Sequence, residues 1–278
     1  MSATSSTPSV DLTFFPRTNL VKGFDNRLQA RIDKGRCFGS TPLSFLEYTT
    51  ASVSSFRIKA NGTVNYDVDW GDGSTETGIT TPLKDHTYPS VGVYKIKITP
   101  ATGSTFRPEH YGSTDYATSL TKVEGVGGSQ LGTNLTKWMR ETTSLTSMGS
   151  VDTSSVDNFQ ATWRGCSGLT SFPALNFSAA TNFASAWLYC SSLTSYPANV
   201  FDTTGTLVST AFSIAFLGCA LTAQSIENIL TSLDTNGTSN ITLGISGGSN
   251  AAKSTWSTAA NTAYDNLITK GWTISFNS

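Results

Sequence analysis

Apolar positions along this chain recur in two rhythms. Through residues 52–100 they alternate: Phe56 and Ile58 in SFRIKA, Tyr66, Val68 and Trp70 in NYDVDW, and Val93, Ile96 and Ile98 in GVYKIKI. Alternation at period two places apolar side chains on one strand face, so these runs are expected as strands. Gly71-Asp72-Gly73 between them is a turn, because glycine and aspartate tolerate positive φ. Beyond this region the rhythm lengthens. Phe159-x3-Trp163-x2-Cys166 and Phe183-x3-Trp187-x2-Cys190 are 24 residues apart at every position compared, and Phe212-x3-Phe216-x2-Cys219 follows after 29. The additional residues fall near Thr203 to Val208, where a loop insertion is expected.

The long period extends upstream. Leu135, Met139, Thr142, Leu145, Met148 and Val151 precede Phe159, Trp163, Cys166, Leu169, Phe172 and Leu175 by the same 24 residues, and LTKVEGV at Leu120, Val123 and Val126 is a further half repeat. Each unit is expected to place a short strand at LTSFPAL and its equivalents. The F-x3-W-x2-C segment is expected to return as a turn of helix with its cysteine inward. Downstream the pattern becomes helical: Ile226, Ile229, Leu230 and Leu233 follow Thr222 as N-cap. NITLGI reads as a strand, Ser254 to Lys270 as a second helix ended by Gly271, and WTISF as a last strand. A period within about 20–29 residues marks a repeat array, whose atypical ends act as caps and whose product is a surface.

Composition narrows the function classes. Only 13% of residues are charged and the net charge is −1, which argues against a nucleic-acid binder. Aromatic content of 11% allows a core despite abundant Ser, Thr and Gly. No apolar run is long enough to span a membrane, and MSATSSTPSVDLTFF lacks a signal-peptide pattern, so synthesis in the cytoplasm is expected. Residues 1–15 are Ser/Thr-rich, and a short helix is expected from Phe24 to Asp33. Tyr111 and Tyr116 are expected to cover the open end of the repeat core.

Candidate chemistry is sparse. Cys166, Cys190 and Cys219 share one repeat position and are expected as reduced core thiols, their redox state and that of Cys37 staying open; no C-x2-C pair spells a zinc site. Asp67, Asp69 and Asp72 raise a calcium reading, against which stands a solvated strand face with a turn-stabilising aspartate. His86 is expected as a packing residue. Trp163 and Trp187 are weighed as sugar-stacking platforms and as core, and the spacing favours core. Thr170, Ser171, Thr194 and Ser195 are the better candidates for a contact face. No G-x-S-x-G, H-E-x-x-H or phosphate-binding loop is present, so no catalytic, cofactor or metal residue is assigned.

Three resemblances frame these residues. VDWGDGSTETG followed by HTYPSVGVYKIKI resembles the polycystic-kidney-disease (PKD) domain, an immunoglobulin-like β-sandwich, through Trp70, Gly71, Asp72, Gly73, His86, Tyr88, Gly92 and Tyr94. The match is short for that family, so the sandwich is either trimmed or completed by the preceding segment. CSGLTSFPAL and CSSLTSYPANVF are similar to the BspA-like leucine-rich repeats of bacterial surface proteins, which implies adhesion and no catalytic residues. The first rungs lack the cysteine, and Trp163 and Trp187 are bulkier than that family's usual residues. The combination resembles accessory virion proteins of tailed bacteriophages. The expected fold class is therefore α+β and multi-domain, a small Ig/PKD-like β-sandwich followed by a short leucine-rich-repeat α/β solenoid with a strand-helix C-terminal cap. The expected domains are residues 1–50 as an N-terminal anchoring arm, 51–101 as the sandwich, 102–221 as the repeats and 222–278 as the cap. The implied function is a non-enzymatic virion surface protein, a capsid decoration or tail-fibre accessory subunit. Its implied partners are the major capsid or tail protein and a host surface protein or glycan, with no nucleic acid and no membrane insertion, and a homo-oligomer is left open. A bacterial cell-surface adhesin is the second reading and a glycan-active enzyme a remote third.

Overall fold

A computed structural model describes residues 45–62, 64–101, 106–109, 118–126 and 131–278. The chain divides into two compact units, Met1–Thr41 and Pro42–Ser278, and every described residue belongs to the second. The expected Phe24–Asp33 helix, Cys37, Tyr111 and Tyr116 lie outside the described residues. The described chain is mostly β-structure with two helices.

The alternating runs form strands as their pattern requires. β1 (Phe45–Thr50), β3 (Tyr66–Asp69), β4 (Thr75–Ile79), β6 (Lys95–Pro100), β8 (Leu120–Val126) and β9 (Ser147–Met148) make a six-stranded sheet in the order β4-β3-β6-β1-β8-β9. β2 (Val53–Asn61), β5 (Leu83–Gly92) and β7 (Arg107–Pro108) make a second sheet in the order β5-β2-β7. Phe56, Ile58, Tyr66, Val68, Ile96 and Ile98 are all buried, whereas Val93 is 64% exposed because it falls in the connection between β5 and β6. The sheets meet through Tyr48 against Phe56 at 6.4 Å and Tyr66 against Phe106 at 5.2 Å between ring centroids. This arrangement is compatible with a β-sandwich.

Two strands lie where the sequence pattern does not put them. β1 falls inside the stretch read as an N-terminal arm, yet it sits centrally in the large sheet, antiparallel to both β6 and β8. LTKVEGV, read as half a repeat, is β8. It pairs with β1 on one side and, in parallel, with β9 of the first repeat on the other, so one strand belongs to both halves of the described chain. Trp138 reinforces this junction by donating its indole N–H to Tyr48 Oη at 3.2 Å.

The repeats stack as successive coils, but the element expected at each face differs from the one found. The F-x3-W-x2-C segment is not a turn of helix. Lys137, Ala161, Ser185 and Ile214 have positive φ, and so do Glu141, Gly165, Tyr189 and Gly218, four residues further on in each coil. A left-handed residue every four positions prevents helix propagation. The backbone turns its N–H groups toward the next coil instead: Phe159, Ala161, Trp163 and Gly165 donate to the carbonyls of Asn182, Ala184, Ala186 and Leu188 at 2.8–2.9 Å. The expected LTSFPAL strand is reduced to β9 and the single parallel bridge Ser171↔Ser195. Pro173 and Pro197 follow immediately and have no N–H to extend that ladder.

Equivalent side chains pile into columns inside the stack. Phe159, Phe183 and Phe212 stack at 5.4 and 5.0 Å, and Trp163, Trp187 and Phe216 at 5.3 and 4.7 Å. Phe172 with Tyr196 and Phe177 with Phe201 form two further columns, and rings of different columns meet edge to face, as Phe172 meets Trp187 at 88°. Offset and T-shaped contacts suit the aromatic quadrupole, so this core gains beyond its buried area.

The C-terminal segment continues the stack with helices. α1 (Ala223–Asn236) starts at Thr222, whose side chain accepts from Ser225 N, and ends at left-handed Gly237. Ile226, Ile229, Leu230 and Leu233 are fully buried. Beside them, Ser225 Oγ accepts from Tyr196 N and donates to Thr194 O, Asn228 donates to Tyr196 O, and Ser232 Oγ accepts from Phe201 N. The helix thus brings polar partners to backbone groups of a coil that has no helix of its own, which closes the hydrogen-bond account at that face. The second helix, α2 (Thr258–Thr269), is shorter than its sequence pattern, because a 3-10 turn at Lys253–Thr255 precedes it and Ser257 is its N-cap. β10 (Thr242–Gly244) and β11 (Thr273–Ser275) pair in parallel, and the Phe212↔Leu243 bridge joins them to the coils.

Candidate functional site

Asp67, Asp69 and Asp72, in β3 and the turn after it, are engaged one by one. Asp67 accepts from Gly78 N at 2.8 Å, Asp69 from Gly71 N at 3.1 Å, and Asp72 from Ser74 N at 2.9 Å and Ser74 Oγ at 2.6 Å. His86 Nε2 lies 2.8 Å from Asp72 Oδ2 while its ring stacks on Trp70 at 4.6 Å and 9°. Gly71 has φ +82°, and a Cβ there would lie 2.5 Å from Lys95 O, so the turn requires glycine. Each carboxylate holds a different backbone N–H, Asp67 one in β4 and Asp69 and Asp72 ones at the turn, which is structural work. Among the described residues no group of three His, Cys, Asp or Glu is placed to hold a metal ion.

This turn carries an acid-sensitive element. Desolvation pushes the Asp72 carboxyl up, but the Ser74 donors and then His86 outweigh it and hold the group at about 2. A carboxyl with a lowered folded pKa stabilises the fold above its unfolded pKa and loses that contribution as pH falls through the folded one. Asp72→Asn is therefore expected to lower the thermal midpoint at neutral pH. It should also flatten the midpoint's decline between about pH 4 and about pH 2; an unchanged acid profile would contradict the assignment.

The cysteine column is structural as well. Cys166, Cys190 and Cys219 are free and fully buried, and their Sγ atoms donate to the carbonyls of Met139, Trp163 and Trp187 in the preceding coil at 3.0, 3.1 and 3.1 Å. Desolvation pushes the Cys166 and Cys219 thiols up to about 12 and Cys190 well above its ordinary value. Asn250 stands at the corresponding place after Leu243: its Nδ2 donates to Phe216 O and Ile245 O, and its Oδ1 accepts from Leu221 N. The sequence pattern missed this because the coil is longer and the residue type changes. Neutral buried thiols are poor nucleophiles. Peptide mapping after alkylation of the native protein at mildly alkaline pH should find these three cysteines unlabelled, with labelling only in denaturant.

Trp163 and Trp187 belong to the interior. Both are fully buried, and their indole Nε1 atoms are without a hydrogen-bond partner among the described residues. Perpendicular rings face them, Phe172 against Trp163 at 4.7 Å and 77° and Tyr196 against Trp187 at 5.3 Å and 87°. A sugar ring has no access to either.

Two outward faces remain. On one, Thr170, Ser171, Thr194 and Ser195 are exposed as their sequence position implies. Their hydroxyls are partly used within the stack, since Thr194 Oγ1 donates to Thr170 O and Thr146 Oγ1 to Thr121 O, both at 3.2 Å. Hydroxyls thus cross-tie successive coils while the serines between them stay outward. The other face is the outer side of the F-x3-[WF]-x2-C ladder, which the sequence reading overlooked. Its columns run Lys137, Ala161, Ser185, Ile214, then Arg140, Arg164, Leu188, Leu217, then Glu141, Gly165, Tyr189, Gly218, with Ala161 and Leu188 buried among them. Charged residues occupy the coils beside the sandwich and apolar ones the coils beside the cap. Tyr189 is 55% exposed and Ile214 is 42% exposed. The signal lay in the dipeptide before each cysteine, Gly165-Cys166, Tyr189-Cys190 and Gly218-Cys219, where a tyrosine interrupts glycines. Comparison of the chain with family models, with curated proteins and with solved structures gives no match.

Proposed function

We propose that this chain is a non-enzymatic virion surface protein of a tailed bacteriophage, a capsid decoration or tail-fibre accessory subunit that displays a contact surface for a host protein or glycan. In this reading a PKD-like sandwich carries a short BspA-like leucine-rich-repeat solenoid, and the segment before the described chain attaches the protein to the particle. The observation that supports it best is the division of side chains in the coils. The thiols, both stacked tryptophans and the aromatic columns face inward, whereas Thr170, Ser171, Thr194, Ser195 and Tyr189 are exposed. Repetition at fixed spacing on a hydrogen-bonded ladder makes a rigid, extended surface suited to adhesion.

Mass spectrometry and immunogold labelling of purified particles test this reading. The protein should copurify with particles and label their exterior. A version lacking residues 1–41 should fold, because Pro42–Ser278 is a compact unit by itself, and should fail to attach. The deletion must stop before β1, since loss of Phe45–Thr50 would remove the strand between β6 and β8. Absence from particles, with recovery from a bacterial cell envelope instead, would replace the reading with that of a cell-surface adhesin.

A further inference from the structure

We infer that Trp256, Tyr264 and Phe276 form an aromatic cage for a methylated ammonium group, and that Lys253 closes this cage from within by placing its own ammonium there. The site belongs to the C-terminal cap and stands apart from the reading of the coils as a display surface.

Three elements bring the rings together. Trp256 ends the 3-10 turn Lys253–Thr255, Tyr264 lies on α2, and Phe276 directly follows β11. Their centroids are 5.5–6.0 Å apart in every pairing, at interplanar angles of 60–88°, so the rings meet as three walls of a corner rather than as a stack. Lys253 Nζ stands 3.4 Å from the Tyr264 centroid, 5.1 Å from that of Phe276 and 5.9 Å from that of Trp256. All three lie within the ~6 Å over which a cation is drawn to an aromatic face. The walls are fixed. Trp256 is 7% exposed, its indole N–H donates to Ala251 O at 3.2 Å and its backbone N–H to Lys253 O at 3.1 Å. Tyr264 and Phe276 are half-buried against the core.

The occupant is held less firmly than the walls. Lys59, Lys84, Lys95, Lys122 and Lys270 each pair with a carboxylate. Among the described residues Lys253 has no ion pair and no side-chain hydrogen bond, and the rings are the partners of its ammonium. Its main chain is fixed at the turn, where Lys253 N donates to Asn277 O at 2.8 Å. Rotation about its side-chain bonds therefore empties the cage without moving a ring. Lysine also suits such a place poorly. Its ammonium is compact, strongly hydrated and carries three N–H donors, to which aromatic faces are weak acceptors. A trimethylammonium group spreads its charge over methyl groups, has no N–H to satisfy and presents an apolar surface to each ring. Three aromatic walls, and an occupant that leaves by rotation alone, match a ligand of that class, as carried by choline.

Acylation of lysines on the purified full chain, read by peptide mapping, tests this without any substitution. Lys253 should label slowly in the native protein and faster when choline is added, while the other lysines are unchanged. Dimethylbutanol, which has the shape of choline and no charge, should have about tenfold less effect, as expected for loss of the cation–π attraction. Titration calorimetry on variants adds a second readout. Lys253→Ala should bind choline about tenfold tighter than the wild type, because a site that is open only part of the time loses affinity by that fraction. Tyr264→Phe should retain binding, and Tyr264→Leu should abolish it. Phosphatidylcholine vesicles and glycerophosphocholine tell the two sources of the group apart. A Lys253 response to vesicles assigns a lipid headgroup, and a response to the soluble ester alone assigns a glycan-borne or free one. Lys253 labelling indifferent to all choline probes, equal effects of choline and dimethylbutanol, or wild-type affinity in Tyr264→Leu would each overturn the inference.

Discussion

Trp187→Ala is expected to be the most damaging single substitution in the coils, lowering stability by about 3–5 kcal/mol. Trp187 is fully buried and stacked between Trp163 at 5.3 Å and Phe216 at 4.7 Å, with Phe172 and Tyr196 perpendicular to it at 5.3 Å each. Truncation leaves a cavity walled by these four rings and by those of Phe177, Phe183 and Phe201. Those rings are fixed by their own columns, so the site collapses poorly and the cavity contribution is close to its upper range. For a protein whose total stability is about 5–15 kcal/mol, that loss populates partly unfolded states. Trp187→Phe should be far milder, because Phe216 fills the same column in the next coil. Urea unfolding followed by far-ultraviolet circular dichroism should separate the two variants clearly. Equal midpoints would show that the columns do not hold the stack together.

Asn250→Leu is expected to be nearly as damaging, by about 3 kcal/mol or more, although it adds apolar volume to a buried site. Asn250 is 4% exposed and satisfies three backbone groups at once: Leu221 N at 2.9 Å, Phe216 O at 2.9 Å and Ile245 O at 3.0 Å. Leucine would leave Leu221 N and Ile245 O inside the stack without these bonds and Phe216 O with only its 3.3 Å bond from Cys219 N, and each orphan costs about 1–3 kcal/mol. The damage should concentrate at the join between the last cysteine coil and the helical cap. Hydrogen exchange is the suitable readout: amides of β10 and α2 should lose protection before those of the sandwich. Uniform loss across the chain would contradict a local role for this residue.

The sequence made some of this legible and hid the rest for identifiable reasons. Strand alternation in SFRIKA, NYDVDW and KIKI was readable because each strand buries one face, which is what period two encodes. The α1 helix was readable because Thr222 caps it and its apolar residues recur at helical spacing. β1 was not readable as a sheet strand. FLEYTT buries Leu46, Glu47, Tyr48 and Thr50, so its pattern does not alternate between apolar and polar residues. The half repeat LTKVEGV was recognised through its spacing, but its second partner β1 leaves no mark at the repeat period. Helix and ladder were confused in F-x3-W-x2-C because spacing of inward residues at three and four also fits a coil with a left-handed residue every fourth position. Side-chain periodicity reports which residues face inward and not which way the N–H groups point. The same blindness explains the outward face. Burial of Phe159, Trp163 and Cys166 follows from their repetition, whereas Tyr189 is informative because it breaks the pattern.

In the proposed reading the interior of the coils is structural and their outward faces are the contact surface of a virion protein. Cryo-electron microscopy of purified particles addresses both parts at once. Density for the sandwich and coils should stand on the particle exterior, joined to the particle by residues before Pro42, with the face that carries Arg164 and Tyr189 open to solvent. Particles without this density, or density in which that face is packed against the capsid or tail, would contradict the account.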